Sequence, residues 1–224
     1  MFQDKKILIL GMGKSGYEAA KLLSEYSSNI TITDQKEQEK NHVEELKQLG
    51  VSYIVTDKPE ELLSEDTDYL VKNPGILKTH PCVLLAKQKK IPVINEVEVA
   101  YRLLKGKGKI VAITGSNGKT TTTTMIYEVM KKAGLPVHLG GNIGYPVCSL
   151  VNKVKPGDLL VLEISDHQLV DVYEFKADVS ILTNLSQVHL DFHKDYETYK
   201  QVKKKIFAHQ TKEDIAILNK DCED

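Results

Sequence analysis

The sequence predicts an α/β protein built as two successive α/β units with mostly parallel sheets, on three observations. Short apolar runs alternate along the chain with stretches of helical periodicity. Two glycine-rich turns, Gly11–Gly16 and Gly115–Lys119, each follow an apolar run and open a helical stretch. A charged glycine segment, Lys105-Gly106-Lys107-Gly108-Lys109, separates the two series.

The elements follow in order. Lys5–Leu10 is a short apolar run, the signal of a buried strand. Tyr17–Tyr26 carries Ala19, Ala20, Leu22 and Leu23 as a helical stripe, and Asn29–Thr33 is a β-branched strand that Asp34 ends. Helix Glu39–Leu49, strand Val51–Val55 and strand Tyr69–Lys72 come next, the last ending in the turn Asn73-Pro74-Gly75. Helix Val83–Lys89 and strand Ile91–Ile94 complete the first series. In the second, strand Lys109–Thr114 leads through Gly115–Lys119 into helix Thr120–Lys132. Strands Asp158–Ile164 and Val179–Leu185, the amphipathic helix Tyr196–Phe207 and strand Ile215–Leu218 follow.

Composition sets the bounds. The 224 residues suffice for one large domain or two small ones, each with its own core. Lys and Arg number 30 and Asp and Glu 31, so the net charge of −1 favours neither nucleic acid nor an anionic membrane as partner. Hydrophobic residues at 41% and charged residues at 27% are ordinary for a globular chain and exclude disorder. No apolar run approaches the ~18 residues that span a bilayer. The N-terminal apolar stretch runs straight into glycines and reads as a strand, not a signal peptide. The three cysteines, Cys82, Cys148 and Cys222, match no metal spacing and read as reduced thiols. Arg102 is the only arginine, so bidentate arginine clamps on phosphate can hardly be built from this chain.

The first glycine turn fits G-x-G-x-x-G at Gly11, Gly13 and Gly16, between a strand and a helix. Glycines there permit a tight turn and bring a phosphate close to backbone N–H groups. Asp34, at the end of the next strand, can accept hydrogen bonds from a ribose or a base. Read alone, the region points to a dinucleotide or another nucleotide, with NAD the default. The second turn, Thr114-Gly115-Ser116-Asn117-Gly118-Lys119-Thr120-Thr121, is the stronger signal. Its backbone N–H groups can converge on phosphate oxygens, Lys119 adds a charge, and the Thr120 hydroxyl can ligate Mg²⁺. Ile113 departs from the strict phosphate-loop pattern, so this is a variant loop, and it points to ATP. Glu163, ending the apolar run Leu159–Leu162, stands where a metal-holding carboxylate is expected. His189 lies beyond strand Val179–Leu185, on the side of the sheet where ligands collect, whereas His193 reads as a loop residue.

These residues carry a resemblance. Thr114–Thr121 resembles the ATP loop of the Mur ligase superfamily. Gly140-Gly141-Asn142-Ile143-Gly144, Glu163-Ile164-Ser165-Asp166-His167-Gln168-Leu169, Thr183-Asn184-Leu185 with His189-Leu190-Asp191, and Tyr199–Lys203 follow in the family's order. Essentially the whole chain is covered. The Gly11–Gly16 loop together with Asn73-Pro74-Gly75-Ile76 resembles the members that add D-glutamate.

The resemblance implies a Rossmann-like N-terminal domain over residues 1–105 that binds the UDP of a sugar nucleotide in place of NAD. It further implies a P-loop ATP-binding α/β central domain over 106–224, incomplete, with the family's C-terminal domain absent. The implied reaction is ATP-dependent. The carboxylate of UDP-MurNAc-L-alanine is phosphorylated, and the amine of D-glutamate attacks the acyl phosphate. Phosphorylation supplies the leaving group that a carboxylate lacks; the protein holds two anionic reactants together and neutralises developing charge. By the same resemblance, Gly115, Ser116, Asn117, Gly118, Lys119, Thr120 and Thr121 bind ATP, and Lys119 faces the transferring phosphate. Thr120 and Glu163 hold its Mg²⁺. His189 ligates a second Mg²⁺, with Lys203 as a CO₂-carbamylated support, although by sequence alone Lys203 reads as part of a solvated helix face. Asn142 and His189 contact the substrate near its reacting carboxylate, and Gly13, Lys14, Ser15, Asp34, Gln35, Lys36, Asn73 and Gly75 contact the UDP-sugar. A bacterial cytoplasmic monomer is implied, a ligase of peptidoglycan precursor synthesis, with no nucleic-acid or membrane partner.

Two departures stand out. Ser165-Asp166-His167-Gln168-Leu169 replaces the family's usual Ser-Ser-Phe-Gln-Leu, for which a loop or packing role of His167 is the expectation and a chemical one the alternative, and Ser186-Gln187-Val188 precedes His189 where many relatives carry an acid. Relatives are also longer, so the expectation is a fragment with little or no ligase activity alone. The alternatives are a non-catalytic UDP-sugar- and ATP-binding module or another member of the superfamily. A NAD dehydrogenase would leave Thr114–Thr121 unexplained.

Overall fold

A computed structural model describes residues 1–104, 106–187 and 190–222, with the backbone alone for 190 and 191. The chain forms two compact units, Met1–Val99 and Ala100–Asp224. Each holds one five-stranded sheet whose strand pairs are all parallel.

The first unit contains β1 (Ile7–Leu10), α1 (Gly13–Ser24), β2 (Ile30–Asp34), α2 (Lys40–Gln48), β3 (Ser52–Val55), β4 (Tyr69–Lys72), α3 (Pro81–Gln88) and β5 (Val93–Ile94). Its strand order is β3-β2-β1-β4-β5. All four residues of β1 are buried, as a central parallel strand covered on both faces requires. Leu10 pairs with Thr33 on one side and Lys72 on the other. The α1 stripe Ala19, Ala20, Leu22 and Leu23 is buried as its spacing predicts. Because the chain leaves β1 for β2 and β3 and then returns to β4, the order reverses beside β1. That reversal opens a crevice at the carboxyl ends of the strands.

Helix α4 (Glu96–Leu104) spans the division between the units. The sequence places the boundary later, at residues 105 and 106. The end of α4 belongs to the second unit because Arg102 pairs with Glu174 at 3.2 Å and the Tyr101 ring packs edge-on against Phe175.

The second unit continues with β6 (Lys109–Thr114), α5 (Lys119–Lys132), β7 (Val137–Gly141), β8 (Leu159–Glu163), α6 (Asp166–Leu169), β9 (Val179–Leu182), α7 (Leu190–His193), α8 (Tyr196–Lys204) and β10 (Ile215–Leu218). Its order is β10-β9-β6-β8-β7, with β6 central. Val111, Ile113 and Val161 form the core beneath α5, where Ile126, Tyr127 and Met130 pack.

Three differences from the sequence reading have physical causes. Strand β7 is unannounced because Gly140 and Gly141 weaken strand propensity. They are needed there: a Cβ on Gly141 would collide with the Glu163 carbonyl. Strand β9 stops at Leu182, not Leu185, since Thr183 and Asn184 turn their side chains to the Asn117 carbonyl at 2.7 and 3.1 Å. His193 is no loop residue; it ends α7 and is buried against Asp166.

Candidate functional site

In the first unit, the reversal beside β1 holds a cavity of about 520 Å³. The glycine turn after β1 forms one wall. A Cβ on Gly16 would strike the Gly11 carbonyl oxygen, so only glycine lets α1 start this close to the strand. The Asp34 carboxylate accepts from Met12 N at 2.9 Å and Lys36 N at 3.2 Å, which fixes the turn. Of the sequence-predicted ligand contacts, Gly13, Asp34, Gln35 and Asn73 line the cavity. Ser15 is half-buried, whereas Lys14, Lys36 and Gly75 are exposed. Thr33 was not anticipated; it lines the same cavity, and its buried hydroxyl finds no protein partner. An orphaned buried hydroxyl at the edge of a cleft suits a ligand that brings a polar group to it.

In the second unit, the turn after β6 meets the ends of β8 and β9. Gly118 adopts a left-handed φ of 78° and hands the chain to α5. The Lys119 ammonium folds back to the Gly115 and Ser116 carbonyls, 2.9 Å from each. Glu163 is buried at the end of β8, where the Thr120 hydroxyl donates to one carboxylate oxygen and the Asn142 amide to the other, both at 2.7 Å. The structure therefore brings Lys119, Thr120, Asn142 and Glu163 together around one loop. Thr121 is exposed on the first turn of α5.

The loop is tied down from behind. Ser116 N and Asn117 N donate to the carbonyl and side-chain oxygens of Asn184, at 3.0 and 2.9 Å. The Ser116 hydroxyl shares a hydrogen bond with the Tyr199 hydroxyl at 2.8 Å and accepts from Ser186 N at 2.8 Å. The Ser116 side chain thus braces the loop, while its neighbours Gly118, Lys119 and Thr120 remain at the open end.

Lys203 is wholly buried, not on a solvated face. Its ammonium reaches the Thr114 hydroxyl at 3.0 Å, the Gly115 carbonyl at 3.2 Å and Asp166 at 3.4 Å. Burial lowers its pKa to about 8; the Asp166 charge opposes this and the Lys119 charge adds to it. Asp166 is the residue that sequence reasoning missed. It also meets His193 Nε2 at 2.6 Å and His167 Nδ1 at 3.3 Å. Burial pushes its carboxyl upward, but the His167 hydrogen bond, the Lys203 charge and the His193 hydrogen bond outweigh that and hold it well below the usual carboxylate range. Its departure from the family pattern was the available signal. The His167 ring packs on Phe192 with centroids 3.9 Å apart, the expected packing role. His189, predicted to contact both metal and substrate, lies outside the described residues.

An oxygen-only pair, the Thr120 hydroxyl and the Glu163 carboxylate, fits a hard dication such as Mg²⁺. Among the described residues no group of three or more His, Cys, Asp or Glu is arranged to hold a metal ion by itself. Phosphate oxygens and water would complete such an ion's shell, as Mg²⁺ prefers. The Cys82 thiol, pushed up to about 12 by burial, is unsuited to nucleophilic chemistry.

Two parallel α/β units, each with a glycine turn at a strand-order reversal, define a nucleotide-handling class, and comparison with known proteins gives its family. A model of the Mur ligase middle domain matches residues 113–224, and one of the MurD-like N-terminal domain of Mur ligases matches residues 5–95. The chain belongs to the Mur ligase family. The first glycine turn is accordingly part of that N-terminal domain.

Within the family the chain resembles UDP-N-acetylmuramoylalanine–D-glutamate ligases. It is 44% identical over 223 residues to that of Geobacillus sp. (strain WCH70), covering 99% of this chain and 49% of the relative. With that of Streptococcus pyogenes it shares 47% over 219 residues, covering 97% and 48%. The chain spans about half the length of the curated relatives it matches. Among solved structures, the UDP-N-acetylmuramate:L-alanyl-gamma-D-glutamyl-meso-diaminopimelate ligase of Neisseria meningitides aligns with a TM-score of 0.60 at 18% identity, over 98% of this chain and 72% of that one. The UDP-N-acetylmuramate-alanine ligase of Thermotoga maritima aligns at 0.56 and 22%, over 97% and 50%. Both share the fold. No described helix is long and apolar enough to cross a membrane.

Proposed function

We propose that this chain supplies the UDP-sugar-binding and ATP-binding parts of an ATP-dependent ligase that joins D-glutamate to UDP-N-acetylmuramoyl-L-alanine. The observation that carries the reading is the grouping of Lys119, Thr120, Asn142 and Glu163 around the second glycine loop. Its companion is the cavity at the first loop, with Asp34 and Asn73 in its walls.

The division of labour follows from the residues. The first unit holds the nucleotide end of the substrate, with Gly13, Asp34, Gln35 and Asn73 in the wall and Lys14, Ser15, Lys36 and Gly75 around it. In the second, the open end of the Gly115–Thr121 loop receives ATP. Lys119 needs only to swing from the loop carbonyls to offer its charge to a terminal phosphate. Thr120 and Glu163 would hold Mg²⁺, which on binding would screen the phosphate charge during transfer to the alanyl carboxylate. Asn142, bonded to Glu163, would reach the reacting carboxylate. His189 and a carbamylated Lys203 are proposed for a second Mg²⁺. The lowered pKa of Lys203 favours the neutral amine that adds to CO₂ with release of a proton.

Calorimetric titration of the chain tests this reading. UDP-MurNAc-L-alanine and Mg²⁺–ATP should each bind saturably, and NAD should not. Binding of NAD alone would overturn the assignment of the first unit; failure of Mg²⁺–ATP to bind would overturn that of the second.

A further inference from the structure

Lys72, the last residue of β4, is wholly buried, which lysine almost never is without dedicated acceptors. Its ammonium draws on three carbonyls of the loop that follows: Ile76 at 2.8 Å, Asn73 at 3.2 Å and Pro74 at 3.5 Å. One buried cation therefore gathers the loop around itself.

The loop is also a wall of the cavity, through Asn73, Ile76 and Leu77. It interlocks with the glycine turn. A Cβ on Gly11 would lie 3.0 Å from Asn73 Cβ, and one on Gly13 only 2.8 Å from Asn73 Nδ2. The Asn73 side chain accepts from Gly75 N at 3.2 Å, which keeps it in this position. In a trans peptide C=O and N–H point in opposite directions. Drawing the Ile76 carbonyl onto Lys72 therefore turns the Leu77 N–H away from the buried ammonium.

Asp34 and Lys72 end the two strands that flank β1. Leu10 of β1 pairs with Thr33, beside Asp34, on one side and with Lys72 on the other. A carboxylate thus stands on the β2 side of the glycine turn and a buried cation on the β4 side.

We propose that Lys72 is a positioning residue for anion binding in the first unit. Its ammonium holds residues 73–77 in the shape that receives the diphosphate of a nucleoside diphosphate, with the nucleoside directed toward Asp34. This rests on the reading of the first unit as a UDP-binding domain.

The test is titration of the 224-residue chain and its Lys72→Met variant with UDP and with uridine. The variant should bind UDP at least tenfold more weakly while uridine affinity changes less than threefold. A wild type that binds UDP and a folded variant that binds it equally well, or that loses both ligands alike, overturns the role of Lys72 and leaves the UDP reading standing. A wild type that fails to bind UDP overturns that reading, and this inference with it. Should the variant not fold, ¹⁵N spectra of the wild type decide. The Leu77 amide should shift downfield with UDP and not with uridine; an unmoved amide overturns the proposal.

Discussion

The two glycine turns make the same local structure, a strand handed to a helix, but they are held by opposite means. The first is fixed mainly by close packing and near neighbours: Gly16 packs against the Gly11 carbonyl, and the Asp34 carboxylate accepts from Met12 N. The second is fixed by side chains brought from far along the chain: Ser116 with Tyr199, Asn117 with Asn184, and Lys203 with Thr114 and Asp166. A turn that only receives a ligand can rely on sterics. One proposed to act on a transferring phosphoryl group gains from donors and charges fixed beforehand.

That contrast can be broken, and the largest effect should come from its most buried charge. Asp166→Ala leaves Lys203 and His193 without their shared carboxylate, and should destabilise the second unit by about 3–5 kcal/mol in urea denaturation, with Asp166→Asn losing less. An equal loss in both variants would mean that the carboxylate's charge, which the isosteric amide also lacks, accounts for the whole effect and its shape for none.

Lys203 sharpens the comparison through pH. Its pKa falls from 10.5 to about 8 in the fold. Between those values the unfolded chain holds the proton that the folded chain has released, so stability rises with pH across that window. The wild type should gain on the order of 3 kcal/mol over Lys203→Met between pH 8 and 10.5. Parallel stability curves for the two proteins would refute the buried ammonium.

Gly16→Ala attacks the steric turn and should cost the first unit roughly 1–3 kcal/mol. Thermal melting read on UDP binding should register it, with ATP binding unchanged. Ser116→Ala is the mildest, removing one buried hydroxyl from the second turn at roughly 1–2 kcal/mol, visible as a lowered melting temperature.

The sequence shows much of this architecture because parallel strands buried on both faces leave uninterrupted apolar runs such as Ile7–Leu10 and Leu159–Leu162. The glycine turns and Glu163 are legible for a related reason, since each sits at the end of such a run. Strand β7 was hidden because its glycines answer to a neighbouring backbone. Asp166 and His193 were hidden because their partnership spans 27 positions and leaves no periodic mark. Lys203, in a run of three lysines, looks solvated until α8 is packed.

The tethers of the second turn also bear on how the molecule reaches its native state. They join residues 83 and 89 positions apart, whereas Asp34 secures the first turn across 22. Contacts between distant residues form late, because a long loop must close before they reward it. During synthesis the first glycine turn can mature once β4 and the loop after it have emerged. The second waits until α8 has left the ribosome and docked. On the function proposed above, newly made protein should therefore be competent to hold a uridine nucleotide well before it can hold ATP.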